Sequence, residues 1–287
     1  MRYYRNLSAN KVEMLYQQLA ATSKGTHLIR PLSVLAVSAI VLAAAPTTQA
    51  GAADGDELFR LNTTTVSGTT GTARWNPCGK PISYTIDARY LHVKPARRAV
   101  AAADLREGIR QLSAATGLRF RQVKDNRLPL PTRRKWTAAK ADVRIVFMSP
   151  SRRKESTNFL PHNTLTGVGR FAGRTSWLPL PAKTADGQRA VRIGKAVVAI
   201  DADQFLQHPW GYGPGPVTGD LILHELGHVV GLDHVSNPAQ IMYGGRISEA
   251  TYATASYASY QPGDRQGLAL VGHQQGCLKP AKSRPRA

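Results

Sequence analysis

The chain has 287 residues, of which 42% are hydrophobic and 20% are charged. This length accommodates one good-sized domain, or a domain with two unequal lobes, plus a targeting segment, and the composition is that of a globular protein. The formal net charge of +20 predicts salt-dependent attraction to polyanions such as anionic cell-wall polymers. The basic clusters at 133–135 and 152–154 lie in polar, proline-flanked segments typical of solvated loops, so specific nucleic-acid binding is not expected.

Residues 1–53 have the pattern of a secretory signal peptide. An apolar run at 31–45 follows Lys24 and Arg30 and precedes small residues at the spacing that signal peptidase reads. We therefore expect cleavage after Ala50 or Ala53 and secretion of the mature chain. Because the segment before the apolar run is unusually long, the alternative is a membrane anchor through residues 31–45.

After this leader, the sequence predicts alternating strands and helices. Residues 54–74 are polar and rich in Thr and Gly, which indicates a flexible arm. The predicted strands are 82–86, 118–123, 142–148 and 196–200, and the predicted helices are 95–115 and 264–271. Residues 149–190 are loop-rich, with one candidate strand at 168–172. Residues 279–287 form a basic tail.

Two cysteines, Cys78 and Cys277, bracket the domain that we assign to residues 75–278. In an exported protein they favour one disulfide, which closes a loop over nearly the whole domain. The loop is long, and in the chain-entropy model its closure stabilises the fold by a few kcal/mol.

The stretch 224–234 reads HELGHVVGLDH and matches the pattern HExxHxxGxxH. Two histidines four residues apart lie on one side of an α-helix, so His224 and His228 can bind one metal ion. Glu225 can contact a water on that ion without being a ligand. Gly231 can adopt a positive φ and end the helix, which brings His234 back as a third ligand. Three neutral imidazoles and a water form the open arrangement of a catalytic zinc.

The flanking residues predict that this helix is short and begins near residue 218. Ile222, Leu226 and Val229 recur at helical spacing and form an apolar face opposite the histidines. The Gly- and Pro-rich segment 211–216 cannot be helical, and Thr218 or Asp220 can cap the start. The elements together predict one sheet behind the helix, with the site in a cleft between this large part and the smaller part after Gly231.

These motifs resemble those of the metzincin metalloproteases, most closely the matrixin branch and its bacterial secreted relatives. The resemblance covers residues 75–277. Residues 241–244, Ile-Met-Tyr-Gly, resemble the Met-turn that places a methionine under the zinc-binding imidazoles, and residues 262–268 resemble the last matrixin helix. The chain departs from matrixins at Val235, where serine is usual, and at Gly244, which replaces the turn proline. No tyrosine follows Met242 by two residues, so the tyrosine ligand of astacin-like members has no counterpart.

The resemblance implies an α+β, metzincin-like fold in which a twisted, mixed, five-stranded sheet backs the active-site helix, with a small C-terminal subdomain. It implies one catalytic Zn²⁺ with His224, His228 and His234 as ligands, Glu225 as the general base, and Met242 as the turn residue. It also implies that a peptide substrate binds antiparallel to an edge strand, which we expect near 167–173.

Two further features leave alternatives open. Residues 77–81, Pro-Cys-Gly-Lys-Pro, also resemble the cysteine-switch segment of matrix metalloprotease propeptides, which is a rival to the disulfide for Cys78. His162 and His208, with Asp201 and Asp203 after a strand, are candidates for a structural Ca²⁺ or a second Zn²⁺, or are simply exposed loop residues.

The sequence therefore predicts a secreted, monomeric zinc endopeptidase that hydrolyses protein or peptide substrates. The alternative is a basic module that binds cell-wall polymers or other polyanions and has vestigial or latent protease activity. The intact ligand set and the presence of Glu225 favour the enzyme.

Overall fold

A computed structural model describes residues 57–124, 128–132, 135, 137, 139–152, 154, 159, 172–245 and 257–281. The described residues belong to one compact unit, Ala50–Ala287. The predicted leader 1–53, the candidate strand up to residue 171, His162 and residues 282–287 of the tail lie outside them. Within the described residues, no helix has the length and apolar character needed to cross a membrane.

The described residues form an α+β fold with ten strands and four α-helices. The strands are β1 (Arg60–Leu61), β2 (Thr63–Val66), β3 (Thr69–Arg74), β4 (Ile82–Asp87), β5 (Phe120–Gln122), β6 (Val143–Met148), β7 (Gly173–Thr184), β8 (Arg189–Asp201), β9 (Leu232–Asp233) and β10 (Leu278–Pro280). The helices are α1 (Pro95–Thr116), α2 (Ala202–Phe205), α3 (Thr218–Val230) and α4 (Pro262–Val271).

The main sheet is mixed and contains eight of the described strands. Its order is β10-β7-β8-β6-β4-β5; β3 also pairs with β8, and β2 pairs with β3. Strands β5, β4, β6 and β8 are parallel, whereas β7 runs antiparallel to β8. The prediction of five strands was therefore wrong: strands β5, β4, β6, β8 and β7 form a continuous block, to which β10, β3 and β2 are added.

Strand β7 lies in the segment that the sequence predicted to be loop-rich. It pairs with β8 from Gly173 to Lys183, with a bulge between Leu178 and Pro179. Its two prolines, Pro179 and Pro181, lack the N–H that a central strand needs, so the sequence pattern argues against a strand here. The structure tolerates them because β8 covers only one side of β7, and β10 covers the other side only from Ala182 to Thr184.

The prediction of a flexible arm at 54–74 was wrong for residues 60–74. Strand β1 pairs with β9, immediately before His234, and β2 and β3 form a hairpin. Ser67 and Gly68 turn this hairpin with positive φ values of 49° and 71°. The Thr-rich composition suggested a flexible chain. However, threonine is β-branched and favours strands, so the same composition suits a strand when a neighbouring strand pairs with it.

Helices α1, α3 and α4 contribute to one hydrophobic core with the inner face of the sheet. Val143, Ile145 and Phe147 of β6 point into this core, whereas Val146 and Met148 point to the opposite face. The nearly continuous apolar run of β6 is thus explained, because both faces of the strand are buried. Helix α3 lies fixed against the sheet, with its apolar side in the core.

The predicted disulfide between Cys78 and Cys277 is present, with 5.3 Å between the two Cα atoms. It lies where the N- and C-terminal segments meet: Arg74 donates hydrogen bonds to the carbonyl oxygens of Gln275 and Gly276 at 2.9 and 2.8 Å. Because Cys78 is bonded to Cys277, it is not a zinc-capping thiolate in this structure, and the cysteine-switch interpretation was wrong.

Candidate metal centre

Helix α3 carries the first part of the motif and begins at Thr218, as the sequence predicted. At its start, the carboxylate of Asp220 accepts a hydrogen bond from the Val217 N–H at 3.0 Å, and the Thr218 hydroxyl accepts one from the Gly211 N–H at 3.0 Å. These bonds satisfy backbone donors around the helix start. The helix is therefore anchored before it reaches His224.

Gly231 ends the helix as predicted, with a φ of 108°. A β-carbon at this position would collide with the backbone oxygen of Ala73, so glycine is required by both conformation and space. The Gly231 carbonyl accepts a hydrogen bond from the Asn62 N–H at 2.8 Å. The reversal that follows carries the chain through β9 to His234.

The three predicted ligands converge. The Nε2 atom of His234 is 3.0 Å from Nε2 of His224 and 3.1 Å from Nε2 of His228. The three ring centroids are 4.7 to 5.0 Å apart. A tetrahedral Zn²⁺ with bonds of about 2.0–2.1 Å requires nitrogens about 3.3 Å apart, and the two His234 distances are near this spacing.

The orientation of the rings decides which nitrogens are available to a metal. Nδ1 of His224 donates to the Ile241 carbonyl at 2.7 Å, and Nδ1 of His228 donates to the Leu232 carbonyl at 2.9 Å. With Nδ1 protonated, each neutral imidazole presents a bare lone pair at Nε2. These two lone pairs converge on Nε2 of His234, at 3.0 and 3.1 Å, an arrangement that suits a shared cation. The donor set therefore fits a metal ion.

All three imidazoles favour the neutral, metal-binding form. Burial, followed by the neighbouring histidines, holds the pKa of His224 well below its ordinary value. Burial also lowers the pKa of His228 to about 4 and lowers the pKa of His234. Metal ligation requires deprotonated imidazole nitrogens, and these rings supply them at neutral pH.

Glu225 is 5% exposed and lies beneath the sheet edge rather than in solvent. The Thr175 hydroxyl is 2.6 Å from Oε2 of this carboxylate and 3.1 Å from the backbone oxygen of Glu225. Burial raises the pKa of Glu225 to about 7, and the hydrogen bond from Thr175 opposes this shift. A carboxylate with a pKa near neutrality is suited to accept and return a proton.

Met242 is 1% exposed and lies under helix α3. Its turn is closed by hydrogen bonds from the Val235 N–H to the Met242 carbonyl at 2.9 Å and from the Gly244 N–H to the Val235 carbonyl at 3.0 Å. Gly244 approaches His234 closely: a β-carbon there would lie 3.2 Å from the β-carbon of His234. The turn therefore supports His234 as well as the helix.

Asp264, for which the sequence predicted no role at the site, anchors this turn from helix α4. Its carboxylate accepts hydrogen bonds from the N–H groups of Ile241 at 2.8 Å and Met242 at 3.1 Å. Burial raises the pKa of Asp264 to about 6, against the lowering effect of these amides. Gly173 and Thr175, which lie against Glu225 from β7, were likewise not predicted as site residues. The available signal for Asp264 was an acidic residue in the first turn of a helix that follows Pro262.

Among the described residues, His224, His228 and His234 are the group whose ligand atoms lie close enough together to share a metal ion. The second candidate metal site does not assemble there. The Asp201 carboxylate instead caps α2, accepting hydrogen bonds from the N–H groups of Asp203 at 2.9 Å and Gln204 at 3.1 Å. His208 is half-buried and has a pKa lowered by burial. His162, the remaining member, lies outside the described residues.

No protein-family model matches this chain, and no curated protein shows significant similarity to it. The chemistry of the site must therefore carry the functional conclusion.

Proposed function

We propose that the protein is a zinc-dependent endopeptidase of the metzincin type, closest to the matrixin branch. The observation that carries this proposal is the convergence of three imidazoles, with Nε2 of His234 lying 3.0 and 3.1 Å from Nε2 of His224 and His228, on a helix where the buried Glu225 directly follows His224. A closed structural zinc site needs four protein ligands, whereas three histidines leave one position for water or substrate.

His224, His228 and His234 would hold the zinc. Zinc in such a site lowers the pKa of a bound water to about 7 and polarises a peptide carbonyl. Glu225 accepts the proton of the attacking water and then gives it to the leaving amine, so the peptide bond is cleaved without a covalent enzyme intermediate. The hydrogen bonds from Nδ1 of His224 and His228 to backbone carbonyls hold the rings in the ligating orientation.

Strand β7 offers an edge for an extended peptide. Among the described strands, β8 pairs with one side of the segment 173–178, and no described strand pairs with its other side. Gly173 and Thr175 of this segment contact Glu225, so a peptide added here as an antiparallel strand would pass the base. We therefore propose 173–178 as the substrate edge, which overlaps the predicted region 167–173 at Gly173.

The protein is proposed to act as a secreted monomer. The N-terminal signal-like segment is the basis for export, and the Cys78–Cys277 disulfide is of the kind that persists in oxidising compartments. Protein or peptide chains are the proposed substrates.

The test is zinc content by mass spectrometry together with casein cleavage, with and without 1,10-phenanthroline. We expect about one zinc per chain and chelator-sensitive cleavage. The Glu225→Gln variant should retain zinc and lose activity by orders of magnitude, whereas Glu107→Gln, on helix α1, should behave like the parent. Normal cleavage by Glu225→Gln, or correctly folded protein without zinc affinity, would refute the proposal.

One observation favours a second function, the binding of an anionic polymer. Lys279, Lys183 and Arg189 lie directly opposite one another on β10, β7 and β8, and all three are exposed. Like charges in register across neighbouring strands destabilise a sheet, so a polyanion that neutralises this cationic row would relieve the repulsion.

This second function can be tested on the protein whether or not it is an enzyme. The Lys183→Ser/Arg189→Ser variant should elute from an anionic polysaccharide resin at lower salt than the parent. The matched control is Arg121→Ser/Lys140→Ser, which removes the same charge from exposed positions elsewhere. Equal elution of the two variants would show that net charge, rather than the aligned row, determines binding.

A further inference from the structure

Strand β7 encloses the carboxylate of Glu225 at both oxygens. The Thr175 hydroxyl is 2.6 Å from Oε2. Two residues earlier on the same face of the strand, Gly173 lies against Oε1, and a β-carbon added to Gly173 would be 2.5 Å from that oxygen. The carboxylate therefore lies against one strand, β7. The Thr175 hydroxyl bonds one of its oxygens, and the other oxygen fits against β7 because Gly173 has no side chain.

A hydroxyl at position 175 is not explained by strand formation alone. Valine has the same branched shape and an equal or better preference for strands. The described polar partners of the Thr175 hydroxyl both belong to Glu225: Oε2 of the side chain and the backbone oxygen at 3.1 Å. A half-buried hydroxyl needs a hydrogen-bond partner, and here that need links β7 directly to Glu225.

We propose that Thr175 is a positioning residue that holds the Glu225 carboxylate in its working orientation. This inference rests on the proposed role of Glu225 as the base. A glutamate side chain has three rotatable bonds, and a hydrogen bond from a strand in the main sheet restricts them. The hydroxyl both donates and accepts, so it can donate to a carboxylate or accept from a carboxyl group while donating to the Glu225 backbone oxygen.

The kinetic test compares Thr175→Val with Thr175→Ser on a fluorogenic peptide taken from a site that the parent cleaves. Loss of a hydrogen bond to a charged group corresponds to a decrease of about tenfold or more in kcat. We expect this decrease in Thr175→Val, with KM changed by less than about twofold because the shape is preserved. Thr175→Ser should restore most of the activity. Thr184→Val, the same change at the far end of β7, is the control.

A second measurement is independent of catalysis. Thermal unfolding of the zinc-loaded protein is measured for Thr175→Val, Glu225→Ala and the double variant, which form a double-mutant cycle. If Thr175 holds the carboxylate, the shift in Tm caused by Thr175→Val should be several degrees with Glu225 present and much smaller with alanine there.

The outcomes separate this inference from the proposed function. Parent-like kcat in Thr175→Val, failure of Thr175→Ser to restore activity, or additive shifts in Tm would overturn the positioning role, even in an active protease. A parent protein without peptidase activity, but with non-additive shifts in Tm, would overturn the proposed function and leave the link between Thr175 and the carboxylate intact.

Discussion

The sulfur atom of Met242 occupies the space that a β-carbon on Gly227 would need. Gly227 directly precedes His228 on helix α3, so the methionine packs against the part of the helix that carries two of the proposed metal ligands. The backbone turn that contains Met242 is connected to helix α4, because the Asp264 carboxylate accepts a hydrogen bond from the Met242 N–H at 3.1 Å. Met242 therefore packs its side chain against helix α3, while its backbone is anchored to helix α4.

The Gly227→Ala substitution tests this contact. Alanine favours helix by about 1 kcal/mol over glycine, but overpacking of a buried contact costs about 1–3 kcal/mol. Because the sulfur must move, we expect lower zinc affinity and no gain in Tm. Gly213→Ala is the control, since a β-carbon there meets nothing within 4 Å. Unchanged zinc affinity in Gly227→Ala would show that the methionine adjusts without disturbing the histidines.

A second prediction concerns the buried ion pair on the outer face of the sheet. Oδ2 of Asp87 is 3.1 Å from Arg144, and both side chains are almost fully buried, with exposures of 0% and 2%. Asp87→Asn leaves the Arg144 charge without its partner, and breaking such a pair costs about 3–5 kcal/mol. Urea unfolding at pH 7 should show this loss. Asp186→Asn, in the exposed β7–β8 turn, should retain the parent midpoint.

The Asp87 carboxylate also determines part of the acid sensitivity of the fold. Burial raises the pKa of Asp87, but the hydrogen bonds and charge of Arg89, with help from Arg144, outweigh it and hold the pKa below the ordinary value of 3.8. A carboxyl with a lower pKa in the folded state stabilises the fold above its unfolded pKa and loses that contribution as the pH falls through the folded pKa. The parent should therefore lose stability below about pH 4. Asp87→Asn should show a shallower loss over this range.

A third prediction concerns the disulfide, whose cysteines are 199 residues apart. Removing a native disulfide typically costs about 2–5 kcal/mol, so Cys78→Ser/Cys277→Ser should lower the Tm by about 5–15 °C. The zinc content should not change, because Asn76 still accepts the Leu278 N–H at 2.9 Å and holds the two termini together. Zinc loss at room temperature in the folded variant would show that the disulfide shapes the metal centre.

Local spacing explains what the sequence predicted correctly. His224, Glu225 and His228 lie within two helical turns, and Gly231 ends the helix, so covalent geometry nearly determines their arrangement. Strand β6 was predicted because both of its faces are apolar. The disulfide followed from the cysteine count and the expected compartment.

Contacts between distant segments explain what the sequence did not reveal. Strand β7 contains two prolines and becomes a strand because it pairs with β8, which no local pattern records. Thr175 is 50 residues from Glu225 along the chain, and its hydroxyl has no sequence signature. The strands between residues 60 and 74 form because β9 and β8 pair with them, and without those partners their polar composition indicates a flexible chain.

The last prediction concerns the N-terminal segment that the sequence assigned to an arm. Asn62 donates its N–H to the Gly231 carbonyl at 2.8 Å, and its own carbonyl accepts the Ala73 N–H at 3.1 Å. Asn62 therefore links β3 by hydrogen bonds to Gly231, the glycine at which the chain turns towards His234. We expect that loss of this connection loosens His234, the third proposed zinc ligand, more than it affects the rest of the fold.

The Asn62→Pro variant removes the N–H donor, whereas Asn62→Ala keeps the backbone and serves as the control. A net loss of about 1–1.5 kcal/mol for one hydrogen bond corresponds to about a tenfold weaker zinc affinity if the bond acts through His234. Competition with a chromogenic chelator measures that affinity, and circular dichroism at 25 °C establishes that the variant is folded. Equal zinc affinity in folded Asn62→Pro and Asn62→Ala would show that the segment covers the core without positioning His234.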